Sequence, residues 1–371
     1  MRLVYFAHAL ASCWNNGNAH FLRGVLRELK ALGHDAVAYQ PRAGWSITNL
    51  LADHGPGALD SFRSAYPELE LIDYDYDPYV DLEACVNGAD VVVVHEWNEP
   101  WLVTGLGRLR KLGGKFTLLF HDTHHRAVSD PRAMEKFDLS GYDAVLAFGE
   151  ALAQVYRRRG WGRNVYVWHE AADTRLFRPP ETRIDRHGLV WIGNWGDEER
   201  SQEIADYLLW PAKCAAFNLD VYGVRYPAAA LDALKSCGAR YRGWLPNTRV
   251  PQIFAKHMAT VHVPRRLYAR QLPGIPTIRV FEALACGIPL VSAPWEDVEG
   301  LFRCGEDFLM AHSPAEMERQ LIALKNDADL RRSLIEKGRE TIEARHTCRH
   351  RALELLNIIA KLQTGLEEVA A

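Results

Sequence analysis

The sequence predicts an α/β protein made of two doubly wound domains, each with a parallel sheet between helices. Short apolar runs alternate with segments of helical periodicity along the chain, as in parallel strands joined by helical crossovers. The chain has 371 residues, enough for two domains of the usual ~100–200 residues. The pattern restarts after a polar segment, 173–188, whose Pro179 and Pro180 are typical of a linker.

The first half opens with the apolar segment RLVYFA and continues with a predicted helix over 18–33. Phe21, Val25 and Leu29 recur there at helical spacing, so one face of this helix is expected to be buried. Gly33 is positioned to end the helix. The first domain is expected to span 1–180, with strands at 2–7, 35–40, 69–73, 90–95, 115–120, 143–147 and 164–168.

The second half repeats this order and contains a distinctive helix within TIRVFEALACG, residues 277–287. Ile278, Phe281 and Leu284 form its apolar face, and Gly287 is a suitable residue for its C-terminal end. From about residue 313 onward the chain is predicted to be helical. The second domain is expected to span 181–371, including this helical tail, with strands at 188–193, 218–223, 240–243, 259–263, 289–292 and 307–310.

The charge balance argues against partners that bind through strong electrostatic attraction. The formal net charge is −3 with His neutral, so no nucleic-acid partner is predicted. No stretch reaches the ~18 apolar residues of a membrane span, and any membrane contact is expected to be peripheral. The basic segment 157–161, RRRGW, could touch a membrane, although an exposed helix end is the simpler account. The oligomeric state stays open.

The cysteines and the N-terminal segment predict a cytoplasmic protein. The seven cysteines are scattered singly and their number is odd, which fits reduced thiols better than a disulfide framework. The N-terminal apolar run is interrupted by His8 and is preceded by a single Arg, so a buried strand explains it better than a signal peptide does.

Polar residues that follow the predicted strands are the candidates for a functional site, because ligands of doubly wound sheets bind at the carboxyl ends of the strands. In the first half, a loop that could contact an acceptor or a phosphate contains Asn16, Gly17 and Asn18. Glu96 follows another strand and is a candidate base. The run DYDYDPYVD, 73–81, could line an acceptor groove or be a solvated loop.

A third strand of the first half is followed by His121 and Asp122, which are candidate catalytic residues, and by His124 and His125. Histidine is a common metal ligand. Neighbouring histidines are poorly spaced for one tetrahedral site, however, and no cysteine is near in the sequence. No metal is therefore predicted.

The second half supplies residues that suit a nucleoside diphosphate. Arg265, Arg266, Arg270 and Arg279 are cations, although arginines are often solvated surface residues. The helix that begins near Thr277 and Ile278 offers free amide groups to an anion. Its single acid, Glu282, could accept hydrogen bonds from two vicinal hydroxyls or could instead pair with Arg279. Other candidates at the ends of strands are Gly193, Asn194, Trp244 and Leu245.

In order along the chain, HEAADTRLFRP, GLVWIGNW and VFEALACGIPLVSA resemble signatures of retaining GT-B glycosyltransferases of the family-4 type. The spore-maturation-like branch is the most similar. This resemblance implies two Rossmann-like domains that face each other across a cleft, with the acceptor on the first and the nucleotide sugar on the second.

Matched residue by residue, the resemblance implies that Glu282 binds the ribose and that Gly193 lies beside the donor phosphates. It also implies that His121 approaches the donor sugar. Trp244 and Leu245 fall where the family holds the base by main-chain contacts.

The resemblance also implies transfer of a sugar from a nucleoside-diphosphate sugar to an acceptor hydroxyl, in glycan or glycoconjugate biosynthesis. Configuration would be retained, and neither a metal nor a cofactor would be needed. One departure from the family motif is Gly274, which stands where the family has an acid associated with the sugar ring. Two alternatives therefore stay open. A non-catalytic scaffold would bind the donor without turnover, and a nucleotide-sugar epimerase would convert the donor without an acceptor.

Overall fold

The structure, a computed structural model, describes residues 1–75, 80–182 and 184–370. The predicted acceptor groove at 73–81 lies partly outside the described residues. The chain divides into two compact units. Unit 1 contains Met1–Glu170 and the C-terminal segment from Cys348, and unit 2 contains Ala171–Thr347.

This division differs from the predicted boundary after residue 180. Asp173 and Phe177, at the start of the predicted linker, are almost fully buried. The N–H of Ala172 donates to the carbonyl of His346 at 3.0 Å, which joins the beginning and the end of unit 2. The C-terminal helix, predicted as part of the second domain, belongs to unit 1. Apolar periodicity shows which face of a helix is buried but not which core it joins.

Unit 1 is built on a 7-stranded parallel sheet in the order β3-β2-β1-β4-β5-β6-β7. The residues from Val91 to Val94 are buried, as expected of a parallel strand covered on both faces. The strands of unit 1 are β1 (Arg2–Phe6), β2 (Asp35–Pro41), β3 (Glu70–Tyr74), β4 (Val91–His95), β5 (Thr117–Asp122), β6 (Ala144–Ala147) and β7 (Val165–Val167).

Helices connect these strands. The predicted helix at 18–33 is α1, and its face of Phe21, Val25 and Leu29 is buried as expected. The α-helices of unit 1 are α1 (Asn18–Ala31), α2 (Trp45–His54), α3 (Asp60–Ala65), α4 (Leu82–Val86), α5 (Pro100–Lys111), α6 (Arg126–Ser129), α7 (Pro131–Met134), α8 (Glu150–Arg159) and, after unit 2 along the chain, α17 (Cys348–Ala370). A 3-10 turn covers Pro56–Leu59.

Unit 2 is built on a 6-stranded parallel sheet in the order β10-β9-β8-β11-β12-β13. One edge strand, β10, exposes Tyr241. The strands of unit 2 are β8 (Leu189–Ile192), β9 (Leu219–Tyr222), β10 (Arg240–Gly243), β11 (Ala259–His262), β12 (Leu290–Ser292) and β13 (Leu309–Met310). Every strand that the sequence predicts has a counterpart in the two sheets.

The distinctive helix predicted within 277–287 is α14, and Gly287 follows it with the positive φ of a helix-ending glycine, 63°. The α-helices of unit 2 are α9 (Ser201–Ile204), α10 (Trp210–Cys214), α11 (Ala228–Ser236), α12 (Val250–Lys256), α13 (Arg266–Arg270), α14 (Ile278–Ala285), α15 (Pro314–Asn326) and α16 (Ala328–Arg345). Shorter 3-10 and π-helical turns cover Asp197–Glu199, Ala205–Leu209 and Asn247–Arg249. None of the helices in the described parts of the chain has the length and apolar character needed to cross a membrane.

Candidate functional site

In unit 1, the loop that follows β1 is held in place by buried side chains. The Gln40 amide oxygen accepts hydrogen bonds from the N–H groups of Leu10 and Ala11 at 2.8 and 3.1 Å. The guanidinium of Arg23 donates to the carbonyls of the same two residues at 2.8 and 3.0 Å. The Asn16 amide donates to backbone carbonyls within the loop at 2.8 and 3.2 Å. Asn16 therefore shapes this loop. Gly17 is exposed and Asn18 begins α1.

His121 lies at the end of β5 and is completely buried. Its Nδ1 hydrogen bonds to the hydroxyl of Tyr5, and the Trp168 ring lies 4.8 Å away between ring centres. Burial lowers the pKa of His121 to about 3, so the ring is neutral near pH 7. Among the described residues, its buried Nε2 has no hydrogen-bond partner.

Glu96 and Asp122 form a pair of buried carboxyl groups at the carboxyl ends of β4 and β5. Glu96 pairs with Arg126, which also donates to the Glu96 carbonyl. The Tyr156 hydroxyl donates to Asp122 at 2.6 Å, and the N–H of His124 donates to its other oxygen at 2.9 Å. Burial raises the pKa of Asp122 to about 6. Burial and the neighbouring Asp122 raise the pKa of Glu96 well above its ordinary value.

The structure thus brings the three predicted catalytic residues to one edge of the sheet but leaves each of them without exposed surface. The accessible side chains there include His8, Trp97 and His124, of which Trp97 is 38% exposed. Sequence analysis gave these three no role. A signal for Trp97 existed, since a tryptophan that directly follows a strand-ending acid stands at the ligand-binding edge.

In unit 2, the turn after β8 is fixed by hydrogen bonds. The Tyr226 hydroxyl donates to the carbonyl of Gly193 at 2.8 Å, and the Asn194 side chain accepts from the N–H of Val224 at 2.9 Å. The carbonyl of Asn194 accepts from the guanidinium of Arg200 at 2.6 Å. This turn therefore places Arg200 at the carboxyl end of β8.

Arg200 has surroundings that differ from those of an ordinary surface arginine. Its guanidinium also donates to the Val263 carbonyl at 3.0 Å and lies 5.2 Å from the ring centre of Trp191. Its contacts within the described part of the chain include no ion pair with a carboxylate, and its Nε is buried without a partner. Burial and the nearby Arg265 lower the pKa of Arg200 to about 10, so the group stays charged near pH 7.

The arginines that sequence analysis selected are arranged differently. Arg265 pairs with Glu199 at 2.6 Å and Arg266 pairs with Glu203 at 2.6 Å. Arg279 pairs with Glu282, and Arg270 is exposed. Three of the four selected cations are thus neutralised by neighbouring acids. Arg200 was missed because it follows the acidic run DEE, which reads as a solvated surface segment.

Glu282 lies on α14 and is completely buried. One of its oxygens accepts from the Asn247 amide at 3.0 Å, and the other pairs with Arg279. The ion pair with Arg279 that sequence analysis gave as the alternative is therefore present. It does not decide whether Glu282 binds a ribose, because a carboxylate has about four lone-pair sites.

The N-terminus of α14 lies at a small cavity of unit 2. Thr277 precedes the helix and its side chain does not cap the helix, and Ile278 is its first residue. The cavity is lined by residues from five elements and the segments between them, Trp191, Ile192, Arg200, Phe254, Thr260, Val261, His262, Val263, Thr277, Arg279 and Leu290. The Nδ1 of His262 and the Ser292 hydroxyl form a hydrogen bond of 2.9 Å. The buried Nε2 of His262 has no partner among the described residues. A cation, a helix N-terminus and an unpaired imidazole nitrogen thus meet at one place.

Trp244 and Leu245 follow β10 through Gly243, which has a φ of 73°. Both are half-buried, and their predicted main-chain contact with a base stays a prediction. Gly274 has a φ of 87°, and a Cβ there would lie 2.6 Å from a methyl group of Val298. The acid that the family has at this position would be strained here.

No three His, Cys, Asp or Glu side chains of the described residues are grouped so that they could hold a metal ion. Whether the reaction uses a metal stays a prediction.

Comparison with family models gives one match over part of the chain. Residues 200–357 match the model of the glycosyl transferase-like family. A search of curated proteins gives no match.

Comparison with solved structures gives similar folds over nearly the whole chain. An α-glucosyltransferase in complex with UDP and a 13-mer DNA containing an HMU base has a TM-score of 0.71 at 15% identity, with 97% of this chain and 99% of that chain covered. Sucrose-phosphate synthase from Thermosynechococcus elongatus has a TM-score of 0.65 at 12% identity, with 98% and 100% covered. HepE from Anabaena, in complex with UDP and glucose, has a TM-score of 0.62 at 13% identity, with 97% and 100% covered.

At these identities the likeness establishes the fold, and the prediction of a GT-B fold with two Rossmann-like parts is confirmed. The family match, which covers most of unit 2 and the start of α17, and the fold together support the prediction of a glycosyltransferase enzyme. The family-4 and spore-maturation-like assignments stay predictions.

Proposed function

We propose that this protein transfers a sugar from a nucleoside-diphosphate sugar to an acceptor hydroxyl, with the nucleotide bound by unit 2. The observation that carries the proposal is Arg200, a partly buried cation at the carboxyl edge of a parallel sheet that no described carboxylate neutralises. An anion is the natural occupant of such a position. The glycosyl transferase-like match begins at this residue.

The diphosphate is the group that Arg200 would bind. When the bond to the sugar breaks, negative charge develops on the leaving diphosphate, and cations or N–H groups that are already in position stabilise it. Arg200 is held in position by two backbone carbonyls and the Trp191 ring. The amide groups at the N-terminus of α14 add a favourable dipole.

Glu282 is proposed to bind the ribose. Asn247 and Arg279 fix its two oxygens, so its lone pairs point in defined directions. Because Glu282 is fully buried, a ribose would have to displace the Asn247 amide or share the oxygen with it. Uracil is the first base to test, since two of the similar structures contain UDP.

Retention of configuration, independence of metals, a role in glycan or glycoconjugate biosynthesis and a cytoplasmic location are further parts of the proposal. They rest on the motif resemblance and on seven free cysteines. If configuration is retained, the leaving phosphate can itself accept the proton of the acceptor hydroxyl. The buried carboxyl groups of Glu96 and Asp122 would then position neighbouring groups and would not act as bases.

Calorimetry tests the donor site. Titration with UDP, GDP, ADP, CDP and dTDP, in buffer containing EDTA, should show binding of one nucleotide. Arg200→Met should weaken that binding about tenfold or more, because a charged hydrogen bond of ~1.5–3 kcal/mol is lost. Glu282→Gln should also weaken it, whereas Arg319→Met, at an exposed arginine of α15 in unit 2, is the matched control and should bind as the wild type does. Equal affinity of the Arg200 variant and the wild type would contradict the proposed site.

The non-catalytic scaffold stays a second candidate because of Gly274, whose left-handed backbone disfavours the family's acid. Incubation with radiolabelled UDP-sugars distinguishes the transferase, the scaffold and the epimerase. Release of UDP, with transfer or hydrolysis of the sugar, supports the enzyme, and proton NMR of the anomeric centre of the product tests retention. Tight binding with neither release nor conversion supports the scaffold, and conversion of the sugar without an acceptor supports the epimerase.

A further inference from the structure

One exposed surface of unit 1 is distinct from the nucleotide site and has the features of a binding site. It consists of His8, Trp97, His124 and Arg126, and we call it the Trp97 surface. Trp97 exposes 38% of its surface. The Arg126 guanidinium covers one face of its indole at 4.0 Å from the ring centre. The rings of His124 and His8 lie against it edge-on, at 5.0 and 6.2 Å between ring centres.

Hydrogen bonds hold the groups around Trp97 in position before any ligand binds. Arg126 is fixed by Glu96, which accepts from it through both its carboxylate and its carbonyl. The loop that carries His8 is held by Gln40 and Arg23 through the bonds described above. An aromatic ring that is already fixed loses little conformational entropy on binding, so such a surface can bind a ligand without reorganisation.

His8 supplies an unused polar group beside the indole. No described residue forms a hydrogen bond with either nitrogen of its ring, and Nδ1 is buried. Burial and the charge of Arg126 lower the pKa of His8 to about 4. The neutral ring has one nitrogen that accepts and one that donates. Its Nε2 has no described partner and, unlike Nδ1, is not completely buried, so a ligand hydroxyl next to Trp97 could bond to it.

We propose that the Trp97 surface binds the acceptor and that the acceptor is a carbohydrate, whose ring packs on the indole while one of its hydroxyls bonds to His8. The inference deepens the proposed glycosyl transfer and rests on it. A sugar ring has an apolar C–H face and a hydroxyl edge, and these match an indole beside an imidazole. An aliphatic alcohol would have no ring to cover the indole.

A nucleobase could also stack on a tryptophan, but nucleic acid would bring phosphates to this surface. The only permanent cation of the Trp97 surface is Arg126, which is already paired with Glu96. Phosphate contacts from several cations are the main source of affinity in nucleic-acid binding. The charges of this surface therefore favour a neutral carbohydrate.

Saturation-transfer NMR with methyl glycosides of glucose, galactose, mannose and N-acetylglucosamine tests the inference on the full chain. At least one glycoside should receive saturation from the wild type. Trp97→Ala should weaken the binding of that glycoside about tenfold, as expected for loss of an aromatic contact. Trp97→Phe should retain most of the binding because it keeps an aromatic face. His8→Phe, which keeps a ring but no nitrogen, should also weaken binding. Trp210→Ala, which removes an exposed tryptophan of unit 2, is the matched control.

The inference is overturned if no glycoside receives saturation from the wild type, or if Trp97→Ala binds glycosides as the wild type does. It is also overturned if a 13-mer duplex DNA, followed by fluorescence anisotropy, binds wild type and loses that binding in Trp97→Ala. UDP calorimetry on the same variants separates the two proposals. UDP affinity should be unchanged in Trp97→Ala, and failure of the wild type to bind any nucleotide would remove the proposed function while leaving the glycoside result readable.

Discussion

Asp122 is the buried carboxyl group whose ionisation is most informative at the residue scale. It is completely buried, and burial raises its pKa from an ordinary value of 3.8 to about 6. Between these two values the unfolded chain has already released this proton while the folded chain still holds it. The folded state is therefore favoured by this group at low pH, and that contribution is lost as the pH rises to about 6.

Replacing Asp122 with Asn removes this pH dependence. The free energy of unfolding of Asp122→Asn, minus that of the wild type, should increase as the pH rises from 4 to 7, by on the order of 2 kcal/mol. Lost hydrogen bonds with Tyr156 and His124 add a cost that does not vary with pH. Urea unfolding of both proteins across this pH range measures the difference.

A subtraction is needed because other buried groups act in the opposite direction. Burial lowers the pKa of His121 and His262 to about 3, so these residues favour the folded state as the pH rises toward 6.5. Their effect is the same in both proteins and cancels in the difference. Asp138→Asn is the matched control, because the pKa of that exposed carboxyl is lowered by Ser140, and its difference from wild type should be flat above pH 4.5. A flat difference for Asp122→Asn as well would show that Asp122 is ionised in the folded protein.

For the residues of the candidate site, the sequence predicts position along the strands but not burial or hydrogen-bond partners. The types and positions of Glu96, His121 and Asp122 predict that they gather at one sheet edge, since parallel strands end there together. Their complete burial depends on neighbours distant in sequence and is not encoded in the local pattern. Arg200 was missed for a related reason, because only the folded turn after β8 shows that backbone carbonyls, and no described carboxylate, hold it.

At the scale of elements, the strands were the easiest part of the fold to predict. Parallel strands buried on both faces form short, continuous apolar runs, and such runs are visible in the sequence. The destination of a helix is harder to predict, and α17 shows this. Trp168 donates to the carbonyl of Arg351 at 2.9 Å, and Leu355 and Ile359 are buried. These contacts place α17 in unit 1, although it follows unit 2 along the chain.

Two leucine substitutions test this assignment of the helices. Leu355→Ala in α17 should destabilise unit 1, and Leu334→Ala in α16 should destabilise unit 2, each by about 2–5 kcal/mol because both side chains are buried. Hydrogen exchange followed by mass spectrometry should locate each effect. Peptides from β1 and α1 should exchange faster in Leu355→Ala, and peptides from β8 and β11 should exchange faster in Leu334→Ala. Faster exchange of β8 and β11 in Leu355→Ala, with β1 and α1 unchanged, would contradict the assignment of α17 to unit 1.

At the scale of the whole molecule, the charge balance bears on the acceptor. One of the similar structures is an α-glucosyltransferase in complex with UDP and a 13-mer DNA, so duplex DNA is the polyanion to test on this chain. This chain has 44 Lys and Arg residues against 47 Asp and Glu residues. Several of its arginines are paired with acids, such as Arg157 with Glu150 and Arg240 with Asp220. The surface field therefore gives little attraction for a polyanion.

We expect the wild type to bind a 13-mer duplex DNA more weakly than about 10⁻⁴ M at physiological salt, at or below the affinity typical of non-specific binding. Fluorescence anisotropy between 50 and 200 mM salt measures this, and the shallow salt dependence of a protein that neutralises few phosphates should accompany it. A variant with Arg157, Arg158 and Arg159 changed to Glu should behave as the wild type does. Micromolar binding with a steep salt dependence, lost in the triple variant, would instead identify that basic segment as a nucleic-acid contact. Because that segment lies in unit 1, where the acceptor is proposed to bind, the proposed acceptor would then change from a carbohydrate to a nucleic acid.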